Sequence, residues 1–257
     1  MRTKKFIIVL VMLAASSSVM AQGNFKVKLG GAFPTGNFAD AMVSNDYVNR
    51  WGLLTNDKYG GAGTGFNVGF QYTIPIRSVK GLGIAISADL FYNGLNEDLN
   101  DFFSDMEDDI LNESGITDVQ ITKPSYLNIP LMVGGSYTFS VSENVGLFAE
   151  LALGVNLMKV TDLYERVEYN EGGYSGEESV RVKYDMSTSF GYRMAAGVVF
   201  NNRYSIEIGY YNLGAGKIKG TNKEDEYEGG DHYNKREDFR YKSITPTMIA
   251  IRFGYAF

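Results

Sequence analysis

The sequence holds no cysteine, one histidine, one tryptophan and only five prolines in 257 residues. Without cysteine there is no disulfide, no thiolate metal site and no residue to carry a lipoprotein anchor. No phosphate-binding loop, nucleophile elbow or zinc-ligand spacing occurs. Long apolar runs are also missing, and none approaches the roughly 20 residues of a membrane helix. The longest, Phe6 to Ala15, follows the basic Met1-Arg-Thr-Lys-Lys and precedes Val19-Met20-Ala21. This reads as a cleaved signal peptide, residues 1–21, with a mature domain of 22–257. Cleavage would take Lys+Arg from 24 to 21 against 30 Asp+Glu, moving the net charge from -6 to -9 and excluding nucleic acid as a partner.

What the chain has in quantity is glycine, 30 residues, together with 18 Tyr and 16 Phe, a composition that suits an all-β domain with aromatic girdles. The last residues set the pattern. Thr247, Ile249, Ile251, Phe253, Tyr255 and Phe257 fall on one face of a strand, and Met248, Ala250, Arg252, Gly254 and Ala256 on the other. Seven further stretches alternate in the same way: 25–33, 66–74, 82–92, 126–139, 145–157, 189–200 and 204–211. Short turns, including Asn201-Asn202-Arg203, alternate with long segments at 34–65, 93–124, 158–185 and 214–242.

Short turns on one rim and long segments on the other predict a closed eight-stranded antiparallel transmembrane β-barrel with four long extracellular loops. A lipocalin is the soluble competitor, but it would turn its apolar residues inward around a ligand. Within the long segments, Leu95, Leu99, Phe102, Met106 and Ile110 predict an amphipathic helix with an acidic outer face. Val180, Val182 and Tyr184 predict a hairpin projecting past the membrane. The 214–242 segment reads as a charged loop.

Tyr126-Leu-Asn-Ile-Pro-Leu-Met resembles the Tyr-Leu-Glu-Ile-Pro-Leu segment of the outer-membrane β-barrel domain family that includes PorT-like and OmpA/OmpX-like porin-fold proteins. Tyr210-Tyr-Asn-Leu213 and Gly254-Tyr-Ala-Phe257 fit the same family. The resemblance covers the mature chain and reports its fold. Asn128 stands where the family often carries Glu, so no role of that carboxylate transfers. The ending resembles the C-terminal signal for barrel insertion, which would assign Phe253, Tyr255 and Phe257 to it.

Seven ionisable residues fall on inward faces: Lys26, Lys28, Arg193 and Arg252 against Asp89, Glu150 and Glu207. An eight-stranded bore is only wide enough for side chains to fill, so these predict a mutually paired network, or alternatively a gated proton or ion path. Arg193 and Arg252 are expected to bridge Glu150 and Glu207. The acidic 95–113 segment offers oxygen ligands for a divalent cation or a lipopolysaccharide-associated surface, or is simply a solvated face. Asp231-His232 would serve a protease only if it sat in a cleft with carboxylates. Trp51, beside Arg50 in the first loop, would bind a glycan or partner, or cover the barrel mouth.

No enzyme activity, cofactor or metal is expected. The function read from these residues is an integral outer-membrane protein, monomeric, with a structural or surface-interaction role in its loops. Its expected partners are outer-membrane lipid and lipopolysaccharide, the barrel-insertion machinery, and a surface protein or glycan. The alternative is a narrow porin or transport protein, or a secretion-apparatus component, as PorT-like relatives would imply.

Overall fold

The computed structural model describes residues 23–40, 60–171, 174–228 and 231–257. The expected leader, Arg50 and Trp51 lie outside the described residues. In chain order the strands are β1 (Asn24–Pro34), β2 (Ala62–Pro75), β3 (Leu82–Leu95), β4 (Ile116–Thr122), β5 (Tyr126–Ser140), β6 (Val145–Val160) and β7 (Leu163–Glu171). They continue with β8 (Tyr174–Tyr184), β9 (Ser187–Phe200), β10 (Tyr204–Asn212), β11 (Gly216–Glu228), β12 (Asp231–Ile244) and β13 (Thr247–Ala256). One helix, α1 (Glu97–Leu111), lies between β3 and β4.

Eight of these strands close into an antiparallel barrel, ordered β1-β13-β10-β9-β6-β5-β3-β2. Closure pairs β1 with β13, so the first and last strands share hydrogen bonds from Lys26–Ala256 to Pro34–Met248. Stepping round the registers from Asn24 through Thr73, Ala85, Gly134, Ala152, Arg193, Tyr211 and Met248 returns to β1 at Pro34, a stagger of ten residues (34 − 24). With about 3.3 Å per residue and about 4.8 Å between strands, that stagger tilts the strands by roughly 40° and leaves a bore that side chains fill.

Three short turns join one barrel strand directly to the next, after β2, β5 and β9. The last is tightest: Asn201 and Asn202 both adopt left-handed backbone, with φ of 50° and 55°. The turn is closed by the Arg203 amide, which donates to the Phe200 carbonyl at 2.9 Å, and left-handed backbone at both central positions explains why two asparagines stand there.

Polarity across the wall is inverted relative to a soluble barrel. Leu29, Phe66, Leu151, Phe190, Ile208 and Ile251 point outward and are each at least half exposed, while Lys28, Asn128, Glu150, Arg193 and Glu207 point inward and are buried. The apolar belt runs from Phe139 and Leu147 near the turns to Phe66 and Phe190 near the opposite rim. That span is on the order of 25 Å, the height of a hydrocarbon band. The lipocalin alternative, with its apolar lining, is overturned by this arrangement.

Beyond the rim, five strands form a second sheet ordered β12-β11-β8-β7-β4. Each continues a neighbouring barrel strand, since β4 leads into β5, β6 into β7, β8 into β9, β10 into β11 and β12 into β13. The inward phase changes parity at four of the five breaks: even residues such as Met158 and Val160 are buried in β6, and odd Leu163 and Glu165 in β7, whereas Ile244 and Met248 keep one parity from β12 into β13. The hairpin expected around Val180 and Val182 is β7–β8. The segment read as a charged loop is instead the β11–β12 hairpin, held by a register running from Gly216–Ile244 to Glu228–Asp231.

Helix α1 is capped by Asn96, whose side chain accepts from the Leu99 amide at 3.1 Å. Its buried face is Leu99, Phe103 and Ile110. Phe103, rather than the expected Phe102, turns inward because it stands one full turn after Leu99; Phe102 packs edge-on against it at 5.9 Å. Leu99 and Phe103 join Phe38, Tyr126, Val182 and Met248 in one apolar core at the sheet-bearing end of the barrel. Apolar packing therefore closes the mouth, and polar packing fills the bore beneath it.

Candidate functional site

The inward faces place six charges from six different strands at one level of the bore. Lys28 comes from β1, Asp89 from β3, Glu150 from β6, Arg193 from β9, Glu207 from β10 and Arg252 from β13, and none is more than 5% exposed. Their contacts close on themselves. Lys28 pairs with Glu207, Glu207 with Arg252, and Arg252 Nη1 with Asp89 Oδ1 at 2.7 Å. Asp89 Oδ2 then lies 3.6 Å from Arg193 Nη1, Arg193 pairs with Glu150, and Glu150 Oε2 returns to Lys28 Nζ at 3.8 Å. The result is a ring of three cations and three anions in strict alternation, each touching two partners of opposite sign.

Neutral groups reinforce the two longest links. Gln71 accepts from Lys28 at 2.6 Å and donates to Glu150 Oε1 at 2.6 Å, bridging the gap between them. Tyr211 donates to Asp89 Oδ2 at 3.3 Å, and its ring lies 5.9 Å from the Arg193 guanidinium and 5.4 Å from that of Arg252. A charge taken out of water is tolerable only where its lone pairs and protons find partners, and the ring with Gln71, Ser87 and Tyr211 supplies them to all its charged groups except at Arg193 Nε, which has none. Arg193 thus meets Glu150, Arg252 meets Glu207, and Asp89 links the two halves.

Lys26 does not join the ring, contrary to expectation. Two residues closer to the turns than Lys28, it faces Phe148 of β6, and its ammonium lies 5.2 Å from that ring. The same strand step that brings Lys28 level with Glu150 brings Lys26 level with an aromatic. Gln71 and Tyr211 carry the right inward phase in the sequence, but neither is ionised at neutral pH, and a search for charges passes over them. Pro130 also finds its place here. It stands opposite Asp89 where the β3–β5 pairing lapses between Ala88–Leu131 and Phe91–Asn128, so its missing donor interrupts the ladder without shifting register.

Among the described residues no group of three or more His, Cys, Asp or Glu is disposed to hold a metal ion. His232 is exposed on the second sheet, stacked on Tyr227 at 4.2 Å and 3.5 Å from Asp225 Oδ1. That is a surface contact and not the cleft a water-activating pair requires. At the chain end, Phe253 and Phe257 point outward, while Tyr255 packs edge-on against Phe257 at 4.9 Å. The Phe257 amide donates to the Phe25 carbonyl at 3.0 Å, which ties the terminus to the first strand.

No family model and no curated protein matches the chain. Among solved structures it is similar to Ail, the attachment invasion locus protein of Yersinia pestis, at 13% identity and a TM-score of 0.35, over 92% of this chain and 99% of that one. It is likewise similar to Neisserial surface protein A at 13% identity and 0.37, over 91% and 97%. The outer membrane protein OprG from Pseudomonas aeruginosa matches at 13% and 0.37, over 92% and 96%. Likenesses this low do not bear on function.

Proposed function

We propose that this chain is an integral outer-membrane protein, exported through a leader cleaved after residue 21, whose role is structural or a surface interaction. The carrying observation is the combination of an apolar belt outside with a closed, charge-balanced ring inside. The belt matches a bilayer, and only a closed sheet leaves no backbone group unsatisfied in lipid. The ring and the apolar core above it fill the bore, which favours a plug over a solute path. The second sheet and α1, both outside the belt, carry the interaction. Phe253, Tyr255 and Phe257 serve as the signal read by the barrel-insertion machinery.

Planar-bilayer recording of the refolded mature protein separates this reading from the narrow-porin or transport alternative. The expected result is an undisturbed baseline. Reproducible single-channel steps that vanish without protein would overturn the plug in favour of transport.

A further inference from the structure

The second sheet has two faces of different character. Its inward face carries Val180, Val182 and Leu163, buried over the barrel mouth. Its outward face continues the wall that meets lipid, and charge is graded along it. Toward the tip, Arg166 is matched by Glu168 and by Glu177 at 3.0 Å, and Asp225 lies in the same rows. Toward the barrel the acids thin out and the cations do not.

There Arg181, Lys223 and Arg236 stand directly opposite one another on β8, β11 and β12. Lys183 follows on β8, and Lys217 and Lys219 on β11 are exposed on either side of buried Ile218. Against these six cations the same rows offer three acids: Asp238, which lies 3.9 Å from Arg236 and accepts a hydrogen bond from Thr221, Asp162, which pairs with Lys159 at 3.7 Å, and Asp185, whose amide donates to the Lys219 carbonyl at 2.8 Å. Arg181 lies 4.8 Å from the Tyr164 ring. Like charges in direct cross-strand register oppose pairing, so the row is held at a cost that a counter-ion would relieve. The inward Lys235, by contrast, is satisfied by Glu237 at 3.0 Å and Glu224 at 4.0 Å.

We infer that this membrane-proximal outward face binds the phosphate groups of phosphorylated outer-leaflet lipid, using Arg181, Lys183, Lys217, Lys219, Lys223 and Arg236. The inference rests on the outer-membrane reading and deepens it. Height and direction select the occupant: the cations begin where the barrel wall ends, on the side facing neighbouring lipid, whereas the face turned toward the mouth carries none of them. The chain as a whole is acidic, with a net charge of -6, so the patch is a local inversion and not a reflection of composition. Guanidinium groups donate paired hydrogen bonds to phosphate oxygens, and each ammonium adds a point charge.

The test uses the full mature protein refolded in detergent, with binding to bisphosphorylated lipid A read by native mass spectrometry beside chemically dephosphorylated lipid A. Wild type should prefer the phosphorylated lipid by at least about ten-fold, a preference that weakens as salt rises from about 0.05 to about 0.3 M. The variant with Arg181, Lys183, Lys217, Lys219, Lys223 and Arg236 all changed to Gln should lose that preference, while Lys235→Gln retains it. Equal binding of the two lipids by wild type, or full preference in the six-fold variant, would overturn the assignment. So would dextran sulfate binding to wild type without any lipid phosphate preference, which would assign the face to a soluble polyanion. The heat-induced gel shift is followed in parallel: its loss in wild type is a failure of the barrel reading, whereas its presence with no lipid preference is a failure of this inference alone.

Discussion

Replacing Arg252 by Met opens the ring at its most heavily used cation. Arg252 supplies Glu207 with two donors, Nε at 3.0 Å and Nη2, and supplies Asp89 with its 2.7 Å contact. The two carboxylates do not suffer equally. Glu207 keeps Lys28, whereas Asp89 is left with Arg193 at 3.6 Å and the Tyr211 hydroxyl at 3.3 Å. Met restores most of the volume, so the loss is one uncompensated buried charge rather than a cavity, about 3 kcal/mol. The unfolding midpoint in urea, measured in lipid vesicles at unchanged slope, should fall accordingly. The ring also specifies the rescue. Adding Asp89→Asn removes the stranded charge and should recover roughly 1 to 2 kcal/mol. Adding Glu207→Gln instead strips Lys28 of its closest anion and should recover less. A midpoint for Arg252→Met equal to wild type, or a better rescue by Glu207→Gln than by Asp89→Asn, would refute the alternating ring as the organising interaction.

Mass spectrometry of the membrane-inserted protein should find Gln22 as the first residue, and the same protein should migrate faster on a gel before boiling than after it. Deleting residues 220–236 removes most of the β11–β12 hairpin but no barrel ladder, so the gel shift should survive, and its loss would make the hairpin part of the wall. A methyl group at Gly69 would sit 2.1 Å from Asp89 Oδ1 and 3.2 Å from Arg252 Nη1, so Gly69→Ala should cost about 1 to 3 kcal/mol of stability, read as a lower urea midpoint. At the tight turn, Asn202→Gly should leave stability unchanged or raise it, whereas Asn202→Val should cost about 1 to 2 kcal/mol in the same assay.

The eight barrel strands were legible because two different solvents act on the two sides of the wall. Lipid requires apolar residues at every second position, and a narrow bore admits only small or paired polar ones, so 145–157 could be read with Leu147, Leu151 and Leu153 outward and Glu150 and Ala152 inward. The second sheet lacks that contrast. In β11 and β12 water reaches both faces over most of their length, Lys, Glu and Asp occupy successive positions, and no period of two survives in Lys223-Glu-Asp-Glu226. The strands form there because their pairing partners are delivered by the barrel beneath, a long-range cause absent from any local window. Only β8 was legible, since Val180, Val182 and Tyr184 face the apolar cap.

The same reasoning separates Lys28 from Lys26. Parity along β1 gives both an inward direction, but which residue lies across the bore depends on the ten-residue stagger of the closed barrel, a property of all eight registers together. Charge identity and strand phase therefore select the candidates for a buried network, and the stagger selects its members. That is why Asp89, on the third strand, meets arginines from the ninth and thirteenth, and why a glutamine and a tyrosine complete a ring that charge alone would leave with two long gaps.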